Sequence, residues 1–292
     1  MPDLSAAVRF FRAANYLAAA QIYLCDNALL ERPIQPSDIK PRLLGHWGTC
    51  PGINLVWTGV NRLLVEQQDA SAIVVVGPGH GAPAPLATLY LDGTLAEVYP
   101  ELGHGRRGLD SFVKAFSWPG GFASHLNPAV PGTIVEGGEL GYALATSFGA
   151  VLDNPELTAV CIVGDGEAET GATATAWHSP KWLDPATNGA VLPVLHLNGF
   201  KISNPTIFAS MSDRELTDLF SGYGWESRIL GGEHVDDPDE GEMVAAIDNG
   251  EELPEGDDSA LIEALEPGAE GAPVAAPTAM VEGSAKAASS AP

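Results

Sequence analysis

The chain has little cysteine, little positive charge and no long apolar run, and each shortage removes a class of protein. Its 3 cysteines, Cys25, Cys50 and Cys161, lie far apart with no Cys-x-x-Cys spacing and no adjoining His cluster. That excludes a disulfide framework and a zinc module and points to a reducing compartment. Lys and Arg number 14 against 38 Asp and Glu, for a formal net charge of -24. Such a chain repels phosphate backbones and anionic bilayers, so no nucleic acid and no membrane is expected as a partner, and an anionic substrate needs a locally positive pocket. No apolar stretch approaches the roughly 18–20 residues of a bilayer span, and the N-terminus lacks the basic start, apolar core and cleavage site of a secretory signal. A cytoplasmic location is expected.

What the chain does have is an alternation. Val8, Phe11, Leu17, Ala20 and Leu24 recur at helical spacing, which predicts one or two helices between Ser5 and Leu30, ended by Pro33, Pro36 and Pro41. Leu43 to Asn54 is broken by Gly45, Gly48, Pro51 and Gly52 and reads as a loop with a function. Ala72–Val76 is a β-branched run that stops at Gly77-Pro78-Gly79-His80-Gly81, the pattern of a strand buried on both faces. Leu157 to Val163 ends in the same way at Gly164-Asp165-Gly166, and Ala190 to Leu197 ends at Asn198-Gly199. Helices are predicted from Leu140 to Leu152 and from Thr170 to Trp182. The expected fold class is therefore α/β, a parallel sheet flanked by helices, with ligands bound where strands end and helices begin.

Beyond Gly231 the composition turns to Glu, Asp, Gly, Ala and Pro, with Lys286 as its sole lysine. Residues 1–230 are expected to form the domain. Residues 231–292 are expected to be an acidic, mostly disordered tail, with a short helix around Met243 to Ile247, because they carry too little apolar surface to offset the entropy of ordering.

The sharpest chemical signal is Gly164-Asp165-Gly166-Glu167, followed 33 residues after Asp165 by Asn198 at the next strand end. Two oxygen donors on neighbouring strand ends suit one hard cation, and the glycines let main-chain amides approach a phosphate, so magnesium with a bound diphosphate fits best. A lone Gly-Asp-Gly is more often an ordinary turn, but here it has company. Gly45-His46-Trp47-Gly48-Thr49, Gly77 to Gly81, Phe116 to His125, Glu136 to Tyr142, Val163 to Gly171 and Leu195 to Gly199 follow in order. In words and spacing, from about Asn15 to Gly224, the sequence resembles the N-terminal, thiamine-diphosphate-binding part of the phosphoketolases. Transketolases lack most of these words.

The resemblance implies a thiamine diphosphate-binding fold and a lyase that cleaves xylulose 5-phosphate or fructose 6-phosphate with inorganic phosphate, giving acetyl phosphate and an aldose phosphate. It implies thiamine diphosphate and Mg2+ as cofactors. Asp165 and Asn198 match the family's magnesium ligands, with the main-chain carbonyl of Phe200 as a third. Thr49, Gly138, Gly164, Gly166 and Glu167 fall where the family lines the cofactor. His46, His80 and His125 match histidines that handle protons of the sugar hydroxyls, work suited to a group titrating near neutral pH. His104, His178, His196 and His234 are expected to be structural. Glu136 and Glu139 read equally as site residues and as helix N-terminal charges.

Three departures stand out from the family pattern: Gly59 and Val135 where histidine is usual, and Gly171-Ala172-Thr173 for the usual Gly-Pro-Leu. The family continues for several hundred residues more, including the domain whose Glu activates the cofactor, and its members are expected to be homodimers. The chain is thus expected to be a truncated N-terminal portion of such an enzyme, either a fragment or one half of a split enzyme whose other half is a separate chain. The alternative is an inactive remnant or binding module that keeps the fold.

Overall fold

Ala14, Leu17, Ala18 and Ile22 lie on one side of the first helix and are buried almost completely; their one-turn spacing lets the helix pack closely. In the computed structural model, which describes residues 4–67 and 70–230, this helix is α1 (Leu4–Tyr23). It is followed by α2 (Cys50–Glu66), β1 (Ser71–Val76), α3 (Pro83–Leu91), α4 (Thr94–Val98), α5 (Arg106–Ala115) and α6 (Ala143–Ala150). The chain continues through β2 (Leu157–Gly164), α7 (Asp165–Ala168), α8 (Gly171–Ala176), β3 (Ala190–His196), the short hairpin β4 (Phe200–Lys201) and β5 (Asn204–Pro205), and α9 (Asp213–Tyr223).

The main sheet runs β1-β2-β3, all parallel, with Val76 opposite Ile162 and Gly164 opposite His196. Alternate strand residues face opposite sides, and each side has its own core. Val76 and Ile162 pack with Leu17, Ile53, Leu86, Phe112 and Phe116 from α1, α2, α3 and the end of α5. Val75, Cys161 and Val163 pack with Leu144, Phe148, Trp177, Leu216 and Phe220 from the segments between α6 and α9. A fully buried side chain of this size contributes roughly 1.5–3 kcal/mol over an exposed one. The expected α/β class is the observed one, and no described helix is long and apolar enough to cross a membrane.

The element boundaries differ from the sequence reading in instructive ways. α1 stops at Tyr23; Leu24 instead bridges to Ile39, and Asn27 and Leu30 take positive φ. The segment from Leu43 to Asn54 is not all loop, because α2 begins at Cys50 with Pro51 in its first turn, where a missing N–H costs nothing. α6 and α8 are shorter than predicted, and a separate 3-10 turn, Ser179–Lys181, carries Pro180. Burial on both faces holds for β2, whose middle residues are all buried, but β1 is buried only at its end and β3 nowhere fully. The latter two are the edges of the sheet among the described residues. The tail and the helix expected around Met243 to Ile247 lie outside the described residues.

One polar device fastens the first core. Lys40 is 3% exposed, and its Nζ donates to the carbonyls of Gln21 at 2.6 Å, Val113 at 3.0 Å and Phe116 at 2.6 Å. It ties α1 to both the body and the end of α5. Burial pushes its pKa down to about 8.

Candidate diphosphate and proton-transfer site

The ends of the three parallel strands and the loops that follow them converge on one side of the sheet. After β1, Gly77 must lack a side chain because a Cβ would overlap Glu167 Oε2, so the turn lies directly on the residues that follow β2. Gly79 makes a similar close approach to Gly137. Main-chain bonds stitch the loops together: Leu126 N donates to Gly79 O and Gly137 N donates to Leu126 O, both at 2.8 Å. Three of the sequence words, around His80, His125 and Glu136, thus form one wall.

The histidines sit on that wall. His46 and His80 meet edge to face with ring centroids 4.7 Å apart, and His46 N donates to His80 O at 3.3 Å. Thr49 Oγ1 lies 3.0 Å from His80 Nε2, so the hydroxyl pins that ring nitrogen. Burial, then the charges of His46, His125 and His196, lower the His80 pKa to about 4; it is a neutral imidazole at neutral pH. His125 is held through Nδ1 at 3.1 Å from Ser124 Oγ.

Asp165, directly after β2, is 2% exposed. Its Oδ2 accepts from Gly199 N at 2.9 Å and from Thr206 Oγ1 at 2.8 Å, while Gly166 N donates to Oδ1 at 3.1 Å. These bonds draw the loop after β3 against the end of β2. Asn198, Gly199 and Phe200 therefore stand beside Asp165, with Asn198 Oδ1 accepting from Phe200 N at 3.1 Å. Asn198 and Phe200 are exposed.

Glu167 is equally buried. Its Oε1 accepts from Gly141 N at 3.3 Å and Ala143 N at 3.4 Å, whereas Oε2 is buried with no partner. Burial raises its pKa against the pull of the surrounding amides. Glu167 closes one side of a pocket of about 240 Å3 between Gly77, Val135, Glu136, Glu139 and Tyr142. Gly138 belongs to the same loop, its amide facing Glu136 Oε1 at 3.4 Å. Neither Glu136 nor Glu139 lies in a helix, since α6 starts only at Ala143; both line the pocket.

Of the residues expected in the site, Glu167 lines the pocket with Gly138 in the adjoining loop; His46, Thr49 and His80 contact one another beside the first strand end, and Gly164, Asp165, Gly166, Asn198 and Phe200 lie along the next two. The donors expected for magnesium, a carboxylate, an amide and a main-chain carbonyl, are all oxygen. That set fits a hard cation whose remaining positions come from water and phosphate. Among the described residues, no three His, Cys, Asp or Glu side chains gather as a metal-holding group.

Two members of the site escape sequence reasoning. His196 was expected to be structural, yet it ends β3 opposite Gly164 and lies close enough to His80 and Asp165 to share their electrostatics. Its place two residues before Asn198, at the end of the strand that leads into that loop, was the available signal. Thr206 carried none, since its bond to Asp165 spans 41 residues. His104, bonded to Tyr90 O at 2.7 Å, and His178, packed on the Tyr223 ring, lie in structural contacts as expected. His234 lies outside the described residues.

Comparison with known proteins gives a consistent result. The family model described as the XFP N-terminal domain matches residues 2–251. A protein of Rhodopseudomonas palustris named a probable phosphoketolase is 58% identical over 224 residues, covering 77% of this chain and 28% of the relative. One of Brucella abortus with the same name is 53% identical over 246 residues, covering 84% of this chain and 31% of the relative. One of Nitrosomonas europaea, also so named, is 56% identical over 224 residues, covering 77% and 28%. The chain spans less than a third of the length of these relatives.

Proposed function

Because the chain belongs to the phosphoketolase family, matching its N-terminal domain, we propose that it provides the magnesium- and diphosphate-binding part of a thiamine-diphosphate-dependent phosphoketolase. The proposed substrates are xylulose 5-phosphate or fructose 6-phosphate and inorganic phosphate. The observation that carries the reading is Asp165: a buried carboxylate at a strand end that holds the loop carrying Asn198 beside it by two hydrogen bonds.

In this reading Asp165, Asn198 and the Phe200 carbonyl hold Mg2+, and Thr49, Gly138, Gly164, Gly166 and Glu167 line thiamine diphosphate. When bound, the cofactor supplies a nucleophilic carbon and an electron sink. The protein's work is orientation and proton movement. Contrary to the expectation from the sequence, His80 does not titrate near neutral pH: its pKa of about 4 keeps it neutral. With Nε2 tied to Thr49 Oγ1 it orients a sugar hydroxyl by hydrogen bonding and is a weak proton acceptor, since general acid–base work is best done by a group with a pKa near the working pH. His46 and His125 flank it and relay protons at neighbouring oxygens. Val135 and the loop around Gly79 and Leu126 wall the site and limit water.

The direct test measures acetyl phosphate formed from xylulose 5-phosphate with thiamine diphosphate, magnesium and phosphate, using the chain alone and then with a separate C-terminal half from a relative. Activity on complementation, lost in Asp165→Asn, supports the reading. Absence of acetyl phosphate in both conditions, with the chain folded, favours a module that keeps the fold without catalysis.

A further inference from the structure

His196 and Gly52 belong to elements far apart in sequence, yet each explains the other. Gly52 lies in the first turn of α2 with no left-handed φ, so its backbone does not require glycine. Glycine inside a helix costs roughly 0.5–1 kcal/mol relative to alanine, and something must offset that cost. A Cβ on Gly52 would collide with Nε2, Cε1 and Cδ2 of the His196 ring. The imidazole at the end of β3 therefore occupies the space a side chain at Gly52 would fill, against the backbone of the α2 first turn.

That turn also carries catalytic geometry. Thr49 directly precedes α2, and its Oγ1 is the group 3.0 Å from His80 Nε2. The path from β3 to His80 is short: the His196 ring sets the distance between the sheet edge and the α2 turn, the turn places Thr49, and Thr49 orients His80. At Gly59, two turns further along α2, an added Cβ would meet nothing within 4 Å, so the close approach at Gly52 is a local feature and not a property of the whole helix face.

We propose that His196 is a positioning residue that fixes the orientation of His80 through the Gly52 turn. It rests on the proposed function only in calling His80 catalytic; the contact and its test do not depend on turnover. The test is the ring NMR spectrum of histidine-labelled full chain at one fixed neutral pH, with the His80 resonances assigned by substitution. His196→Ala is expected to move the His80 resonances, and Gly52→Ala to move them further. Gly52→Ala combined with His196→Ala is expected to bring them back toward those of His196→Ala alone, since the collision is relieved. His196→Phe, which keeps an aromatic ring against Gly52, is expected to leave them near the wild-type position and covers the case in which His196→Ala does not fold. Unmoved His80 resonances in folded His196→Ala overturn the proposal. So does a double variant as perturbed as Gly52→Ala, or a His196→Phe shift as large as that of His196→Ala.

Discussion

The histidine side of the candidate site and its Asp165 side are backed differently, although both present exposed residues: His46 and His125 are exposed, as are Asn198 and Phe200. His46, His80 and Thr49 rest against the first core, among α1, α2, α3 and α5, where Ile53, Leu86 and Phe112 are completely buried. Asp165 is just as buried, but Asn198, Phe200 and Ile202 project from the open β3 side, with Phe200 60% and Ile202 105% exposed. On the histidine side Thr49 is buried and His80 partly buried, while His46 and His125 stay exposed. The diphosphate side is anchored at one residue, Asp165, and left open around it.

The largest effect expected from breaking this contrast is on the histidine side. Lys40→Met removes the donor to three buried carbonyls, each a charge-assisted bond, and should cost about 3 kcal/mol in urea unfolding. The folded fraction should bind magnesium and diphosphate as before, because Lys40 lies outside the open side.

Asp165→Ala comes next. It strips the acceptor from Gly199 N and Thr206 Oγ1, and roughly 2 kcal/mol of stability should be lost. Asp165→Asn can keep its amide oxygen in the Oδ2 position, which accepts from both donors, and should lose less. Both should abolish magnesium-dependent binding, so comparing them by thermal melts with and without the ion separates the anchor's structural task from its chemical one.

A smaller, pH-dependent effect sharpens the wall side. The His80 pKa is about 4 in the fold, below its ordinary 6.5, so the unfolded chain takes up this proton first as pH falls. Stability should therefore drop between about pH 6.5 and 4 and level off below. His80→Gln should remove that component of the slope, seen as the difference between the two chains' unfolding free energies across the window. Equal slopes would show that His80 is not buried as described.

The smallest stability change belongs to Asn198→Ala. The side chain is exposed and, among the described residues, bonds to Phe200 N alone, so the loss should stay within ~0.5 kcal/mol. Its effect on magnesium affinity should be the larger one, which equilibrium dialysis would read.

The same contrast explains what could be read from the sequence. β1, β2 and β3 were legible because β-branched runs ending in glycine leave few alternatives, and the Gly-Asp-Gly and Asn pair stood at their ends. The start of α2 was hidden because Gly48, Pro51 and Gly52 look like breakers; Pro51 is tolerated in a first turn, and Gly52 serves the packing of His196. The lengths of α6 and α8 were overestimated because apolar periodicity continues past points where Val151 and Trp177 turn inward to the second core. Long-range polar contacts, such as Thr206 to Asp165 and Lys40 to Phe116, have no periodic signature at all. They decide how the site is held, and only the folded chain displays them.

The strand ends are tested most directly by calorimetric titration of thiamine diphosphate into the chain with and without magnesium, repeated on Asp165→Asn. Heat of binding is predicted only when magnesium is present, and none in the variant. Binding that is unchanged without magnesium, or undiminished in Asp165→Asn, would contradict the assignment of the strand ends as a magnesium–diphosphate site.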